Sequence, residues 1–451
     1  MRLAILGGGG FRVPLVYRAL LDDHAEGRVT HVTLHDLDAG RLHAIARVLA
    51  EQADGVPDAP EVEVTTDLDE ALVKADFVFV AIRVHGLDGR ALDERLALEE
   101  GVLGQETVGA GGISYGLRTV PVANRIARRV AEISPQAWVI NFTNPAGLVT
   151  EAMSHHLGDR VIGICDSPVG LGRRVARVLG VDPRDATLDY VGLNHLGWLR
   201  GIRVRAGEQE RDLLPGLLAD GEALASFEEG RLFGATWLRA IGAVPNEYLH
   251  YYYYNREAVA AARAAAQTRG TFLLQQQQRF YEETANGGGS ALALWDRTRL
   301  ERETTYMAEN REAAGAGERS SCDLESGGYE RVAIDLMRAI SQDRQATLIL
   351  NVRNRGALPG LDDDAVVEVP CRVGSDGAQI LPLDPIPEHG LGLVTSVKAV
   401  ERSTIEAATT GSRSAALRAL SIHPLVDSVA VAGRLLDAYQ RNIPQLGYLG
   451  S

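Results

Sequence analysis

A chain of 451 residues, 45% hydrophobic and 24% charged, is long enough for more than one domain and can bury a large core. Its formal net charge of −14, with no long basic run, argues against nucleic acid as the main partner, and no apolar run is long enough to span a bilayer. Three cysteines (Cys165, Cys322 and Cys371) are too few and too odd in number for a disulfide framework and fit a reducing compartment.

Residues 2–6 read as a first strand, entered at once from Met1 with no signal-peptide pattern, so a cytoplasmic protein is expected. Gly7 to Gly10 follow as a turn, and Val13–Leu21 as a helix. A glycine turn between strand and helix is either a phosphate cradle, with backbone N–H groups facing a pyrophosphate, or a tight turn without ligand. Gly7 and Gly9 fit the dinucleotide pattern, but Arg12 stands where a third glycine is due. Gly10, Phe11 and Arg12 complete the expected cofactor loop; Arg12 faces either the cofactor phosphates or solvent. The next strand, residues 29–35, delivers Asp36, placed to hold the ribose hydroxyls of NAD or to cap the following helix.

Three more strand patterns follow at 61–66, 76–83 and 138–145, the second an almost unbroken apolar run as a buried parallel strand requires. A short run, Val161 to Ile164, then delivers Cys165 and Asp166 at its carboxyl end. Strands alternating with helices predict a doubly wound parallel sheet, Rossmann-like, over residues 1–183. Ligands of such sheets bind beyond the carboxyl ends of the strands, where Arg83, Asn141, Asn144, Cys165 and Asp166 gather. Cys165 is there either a small buried hydrophobe or a metal ligand. The stretch 101–112, too glycine-rich for a helix, reads as a functional loop or as a solvated linker.

From about residue 184 the pattern changes to a mainly helical α+β domain, 184–451, with a smaller sheet at 348–356 and 365–373. Asn194 and His195 lie early in it; a lone histidine is more often structural than functional. Asn246 to Tyr254 is helical and tyrosine-rich, 256–284 reads as one long helix, and 308–328 as a polar loop. Cys371, inside a strand, reads as a packed thiol.

Together these motifs resemble glycoside hydrolase family 4, the NAD- and metal-dependent glycosidases. The resemblance spans nearly the whole chain. It rests on the glycine turn, Arg90 with Asp93 and Glu94, Gly104-Gln-Glu-Thr107, Asn141-Phe-Thr-Asn-Pro145, Ile164-Cys-Asp166, Gly192-Leu-Asn-His195, Tyr248-Leu-His-Tyr-Tyr252, Asn351-Val-Arg-Asn-Arg-Gly356 and Val369-Pro-Cys371. It implies a divalent metal, usually Mn²⁺, on Cys165 and His195, with Tyr248 as the base. It further implies Asn144 between cofactor and substrate, Asn194 and Arg90 as substrate contacts, and Arg269 with Arg90 at a sugar 6-phosphate. The implied reaction is a redox-assisted elimination rather than hydrolysis by two carboxylates: oxidation at C3 by NAD, loss of the C2 proton, departure of the aglycone, addition of water and re-reduction. Asp166 resembles the acid of α-type members, whereas the patterns around His195 and Asn351 resemble the 6-phospho-β-glucosidases. The expectation is a 6-phospho-β-glucosidase, with α-glucosidase, α-galactosidase or galacturonidase as same-family alternatives. A lactate/malate-type dehydrogenase and a non-catalytic NAD-binding regulator are the readings outside the family. The resemblance also implies a homodimer or homotetramer.

Overall fold

In a computed structural model, residues 1–450 are described apart from 208, 288 and 317–327. Strands β1 (Arg2–Leu6), β2 (His31–His35), β3 (Glu61–Thr65), β4 (Phe77–Val80), β5 (Trp138–Asn141) and β6 (Val161–Gly163) are all parallel. Their order in the sheet is β3-β2-β1-β4-β5-β6. The order reverses between β1 and β4, and a crevice opens there at the carboxyl ends. All four residues of β4 are buried, and each large apolar side chain so placed contributes about 1.5–3 kcal/mol. Helices Val13–Leu21 and Ala39–Ala53 follow β1 and β2. The second is capped by Asp38, whose carboxylate accepts from Arg41 N, so the capping alternative for Asp36 is not realised.

The sheet continues past β6 with antiparallel strands: β7 (Ala186–Leu193), β8 (Leu196–Ala206), β9 (Gln209–Asp212), β10 (Val244–Pro245), β11 (Ala346–Arg353), β12 (Val366–Gly374) and β13 (Gly377–Ile380). β11 meets β6 at one register pair, Asn351 with Gly163, and β12 meets β7 at another, Glu368 with Gly192. The first contact needs a glycine, because a Cβ at position 163 would lie 2.4 Å from Thr150 Oγ1 and 2.8 Å from Asn351 Cβ. Glu368 ties the junction together, accepting from Asn351 (2.9 Å), Asn194 (3.1 Å) and Tyr190 (3.1 Å). Parallel and antiparallel halves thus form one surface, and the smaller C-terminal sheet is its extension.

Three sequence expectations are corrected. The stretch 256–284 is two helices, Asn255–Ala264 and Arg269–Ala285, because the Thr268 hydroxyl caps the second by accepting from Thr271 N. The glycine-rich stretch is a loop only to Val108. Gly109–Ile133 is a helix whose first turn packs so closely that a Cβ at Gly111 would meet Gln105 O at 2.3 Å. Of the polar loop at 308–328, Ala308–Ala313 is helical, and residues 317–327, with Cys322, lie outside the described residues. Cys371 is fully buried in β12, as a packed thiol.

Candidate active site

A cavity of about 550 Å³ opens at the carboxyl ends of β1, β4, β5 and β6. The parallel strands supply Gly7, Arg83, Asn144, Cys165 and Asp166, and the chain beyond residue 184 supplies His195, Tyr248, Arg269, Arg302 and Tyr306. Helices Arg269–Ala285 and Ala291–Thr304 lie over the glycine turn. Trp295 Nε1 donates to Phe11 O at 2.8 Å, and the Tyr281 hydroxyl donates to Gly9 O at 2.7 Å. The Phe11 ring serves this packing, edge-on to Phe280 at 5.3 Å.

Cys165 and His195 meet at the centre. β6 ends two residues before the cysteine, and the two-residue turn between β7 and β8 presents the histidine, with φ at +60°. That left-handed backbone is uncommon away from glycine and is held by the hairpin on both sides. Sγ lies 3.4 Å from Nε2, and Nδ1 is 2.6 Å from the Thr107 hydroxyl. Burial holds the His195 imidazole neutral, with its pKa down to about 4. Burial, then Glu368 and Asp166, push the Cys165 thiol up. Tyr248 stacks flat on His195, and its hydroxyl accepts from Tyr306 at 3.1 Å. Burial raises the Tyr248 phenol well above its ordinary value, and Tyr306 and Glu247 add to the rise.

Arg12 lines the cavity together with Gly7 and Gly10 of the glycine turn. It forms an ion pair with Asp166 at 2.8 Å and lies over the rings of Tyr329 and Phe142, 4.4 and 5.1 Å from their centroids. Asp166 is held below the ordinary carboxylate range by Arg12 in spite of its burial. In the glycine turn, Gly7 has φ +86°, and a Cβ there would lie 2.4 Å from Ala81 O. Asp36 accepts from Gly9 N at 3.1 Å, at the end of β2 and beside the turn. Gly10 lines the cavity just before the helix at Val13.

Two expected contacts do not face the cavity. Asn194 donates to Glu368 and accepts from Ala146 N, and so braces the turn that carries His195. Asn141 is fully buried, its amide bonded to Thr143 O, Ala146 O and Thr150 Oγ1. Asp93 is likewise spent inside the protein, paired with Arg118 through both oxygens.

The far wall is cationic. Arg90 donates to Glu94 at 2.8 Å and to Glu106 at 2.6 Å, and Glu106 also takes Arg83. Arg269 donates to Thr305 Oγ1 and to the carbonyl of Arg302. The Arg302 guanidinium has no carboxylate partner among the described residues. Burial, with Arg12 and Arg269 close by, brings its pKa down to about 9. Sequence reasoning missed Arg302, Glu106 and Tyr306. The only signal for Thr107 and Glu106 was their place in the Gly104–Thr107 motif.

These residues fit the two groups expected. Two metal bonds of about 2.1–2.3 Å at right angles put their donor atoms about 3.1 Å apart, close to the Cys165–His195 separation. A neutral imidazole whose other nitrogen is held by a hydroxyl is the state a metal requires. Among the described residues no third His, Cys, Asp or Glu joins the pair, so water and substrate oxygens would complete the shell. The glycine turn, opening on a helix with no side-chain cap, and Asp36 beside it fit a dinucleotide.

The profile described as Family 4 glycosyl hydrolase matches residues 2–181, and that of the Family 4 glycosyl hydrolase C-terminal domain matches 190–426. The 6-phospho-beta-glucosidase of Escherichia coli is 31% identical, over 98% of this chain and 96% of its own. The 6-phospho-alpha-glucosidase of Leptotrichia buccalis is 32% identical, over 96% of each. Among solved structures, the 6-phospho-beta glucosidase of Thermotoga maritima with NAD and glucose-6-phosphate superposes with a TM-score of 0.82 at 27% identity, covering 99% of each chain. A 6-phospho-alpha-glucosidase from gut microorganisms, in complex with NAD and Mn²⁺, gives 0.80 at 26% identity over 98% of each.

Proposed function

The chain belongs to family 4 of the glycosyl hydrolases, and from that premise we propose that it cleaves 6-phospho-β-glucosides with NAD and a divalent metal, Mn²⁺ by preference. The observation that carries this is the pairing of Cys165 and His195 across from an arginine wall in one cavity. A glucose 6-phosphate unit has one dianionic end and vicinal hydroxyls at the other, which is the polarity of the cavity. Arg302, Arg269 and Arg90 take the phosphate, and charge-assisted bonds from guanidinium groups suit it.

Residues 1–183 act as the NAD-binding domain and 184–451 as the substrate, metal and oligomerisation domain of a cytoplasmic homodimer or homotetramer. Gly7, Gly9 and Gly10 approach the pyrophosphate, Asp36 takes the adenine-side ribose hydroxyls, and Asn144 stands between cofactor and sugar. When bound, the cofactor supplies a hydride acceptor and donor, and the metal a Lewis acid. Tyr248 removes the C2 proton. Its raised pKa calls for positive charge nearby, and it stacks on the ring of a proposed metal ligand. Thr107 fixes the His195 tautomer.

The β preference draws support from Arg12. The carboxylate expected to protonate the leaving group of α-type substrates is Asp166, and here it is neutralised by an ion pair. The test is nitrophenol release from α- and β-nitrophenyl glucoside 6-phosphates, with and without NAD⁺, Mn²⁺ and reductant. Cleavage of the β substrate that needs both NAD⁺ and metal, with no net NADH, is the expected result. Equal cleavage without either rejects the reading, and α preference rejects the anomer.

A further inference from the structure

The departing aglycone needs a proton, and the residue at the Asp166 position is engaged elsewhere. The carboxyl groups lining the cavity narrow quickly. Glu94 is bound by Arg90 and Gly270 N, Glu106 by Arg83 and Arg90, Asp166 by Arg12, and Glu303 by Arg299. Glu228 faces Arg311 at 4.0 Å. Two remain with an oxygen that is buried and has no hydrogen-bond partner among the described residues: Oε2 of Glu247 and Oε2 of Glu330.

Their surroundings separate them. Tyr329, beside Glu330, donates to Arg12 O, which sets that turn against the glycine loop, the cofactor side; burial raises the Glu330 carboxyl as well, with Arg12 and Arg173 opposing. Glu247 is 6% exposed and stands on the metal side. Its Oε1 accepts from the Ser167 hydroxyl at 2.8 Å, two residues beyond Cys165, and the short 3-10 turn Glu247–Leu249 carries Tyr248 as well. That turn is fixed by Asn246, whose side chain accepts from Tyr248 N.

We propose that Glu247 is the general acid that protonates the leaving aglycone oxygen, acting opposite Tyr248 from the same turn. This rests on the function proposed above. With C3 at the ketone level, the oxidation that a bound nicotinamide cofactor would supply, Tyr248 takes the C2 proton. The C2–H electron pair becomes the C1–C2 double bond, the C1–O bond pair leaves with the oxygen, and Glu247 gives that oxygen its proton. When water adds to C1, Glu247 takes a proton back from it, and Tyr248 returns its proton to C2. The cavity brings the carboxyl up to about 7: burial raises it, Glu229 and Glu228 raise it further, and Arg174, already bound to Glu229, and the Ser167 hydroxyl oppose them only in part.

The experiment compares wild type, Glu247→Gln and Glu330→Gln on aryl and alkyl glucoside 6-phosphates of graded leaving-group acidity, with NAD⁺ and Mn²⁺ present. General acid catalysis is worth roughly 10²–10⁴-fold. E247Q is expected to lose that much kcat/KM on an alkyl or sugar aglycone and less than about tenfold on dinitrophenyl, which departs without a proton. E330Q is expected to follow the wild-type slope. Infrared spectroscopy supplies a readout apart from turnover: a protonated-carboxyl stretch at neutral pH, present in the wild type and lost in E247Q. An equal loss across the series, no loss, or a changed slope in E330Q instead overturns the assignment. A wild type that cleaves none of these substrates fails the functional reading itself, and the acid role falls with it.

Discussion

The imidazole of His195 and the phenol of Tyr248 lie face to face, 3.6 Å between centroids and 4° from parallel. The proposed metal ligand and the proposed base are therefore one stacked unit. A cation held at His195 Nε2 would act on the phenol at short range, in a cavity where little water would screen it. Tyr248→Phe keeps the stack and removes the proton acceptor. It is expected to cut kcat by about 10²–10⁴-fold while NAD⁺ binds as in the wild type. Steady-state kinetics with a cofactor titration checks this, and full activity in Y248F rejects the base.

Thr107 holds the far side of the same imidazole through Nδ1. Removing such a partner typically costs about 10–100-fold in metal affinity. Thr107→Val is expected to raise the Mn²⁺ concentration needed for half activation by about that factor, with little change in kcat at saturating metal. Cys165→Ser should act more strongly, by loss of the thiolate donor. A Mn²⁺ titration of both variants separates ligand from support, and unchanged metal dependence in C165S removes the site.

How far the sequence speaks follows from what kind of signal each residue leaves. The parallel sheet was legible because apolar runs and glycine turns are local, and Cys165 and Asp166 because they end such a run. Asn194 misled: it sits in a site motif, yet its amide is spent on Glu368, a partner 174 positions away. Arg302 left no trace, since one more arginine on the polar helix Ala291–Thr304 looks like a solvated charge. Only the packing of that helix over the glycine turn aims it into the cavity. The break at residues 265–268 was hidden for a similar reason, as one threonine cap outweighs an otherwise continuous helical composition.

Arg302 yields the third prediction. Its guanidinium lies near Arg12, Arg269 and Arg90, with no ion pair among the described residues and only Glu106 to offset them, so the free protein carries there a charge that a bound anion would compensate. Arg302→Met is expected to weaken glucose 6-phosphate binding by about 10–100-fold, the worth of a charged hydrogen bond, and to leave glucose binding nearly unchanged. Thermal stability without ligand should be equal or higher, because an unpaired buried charge is removed. Calorimetric titration with both sugars decides it, and wild-type affinity for the phosphate ester places the anion elsewhere.

The last prediction concerns acid. His250 and His423 are buried outside the proposed metal pair. Both ring nitrogens of His250 lack partners, between Tyr254 stacked at 5.0 Å and Phe233. At His423 the backbone N–H groups of Gly109 and Leu425 point at the two ring nitrogens, so a second ring proton would meet a donor. Burial depresses the two pKa values to about 4 and about 3, against about 6.5 in an unfolded chain. Between those limits these side chains bind more protons in the unfolded state, so their share of the stability is full above pH 6.5 and declines as the pH falls toward 4. Each histidine contributes a slope of roughly 1.4 kcal/mol per pH unit. Buried carboxyls such as Glu247 and Glu368, whose pKa values are raised, contribute a slope of the opposite sign, so the histidines' share is read from a variant compared with the wild type. His250→Phe, whose ring suits this aromatic pocket and cannot be protonated, should shed one histidine's share of the slope. A pH slope of Tm that is the same in H250F as in the wild type shows that this imidazole is not held neutral by the fold.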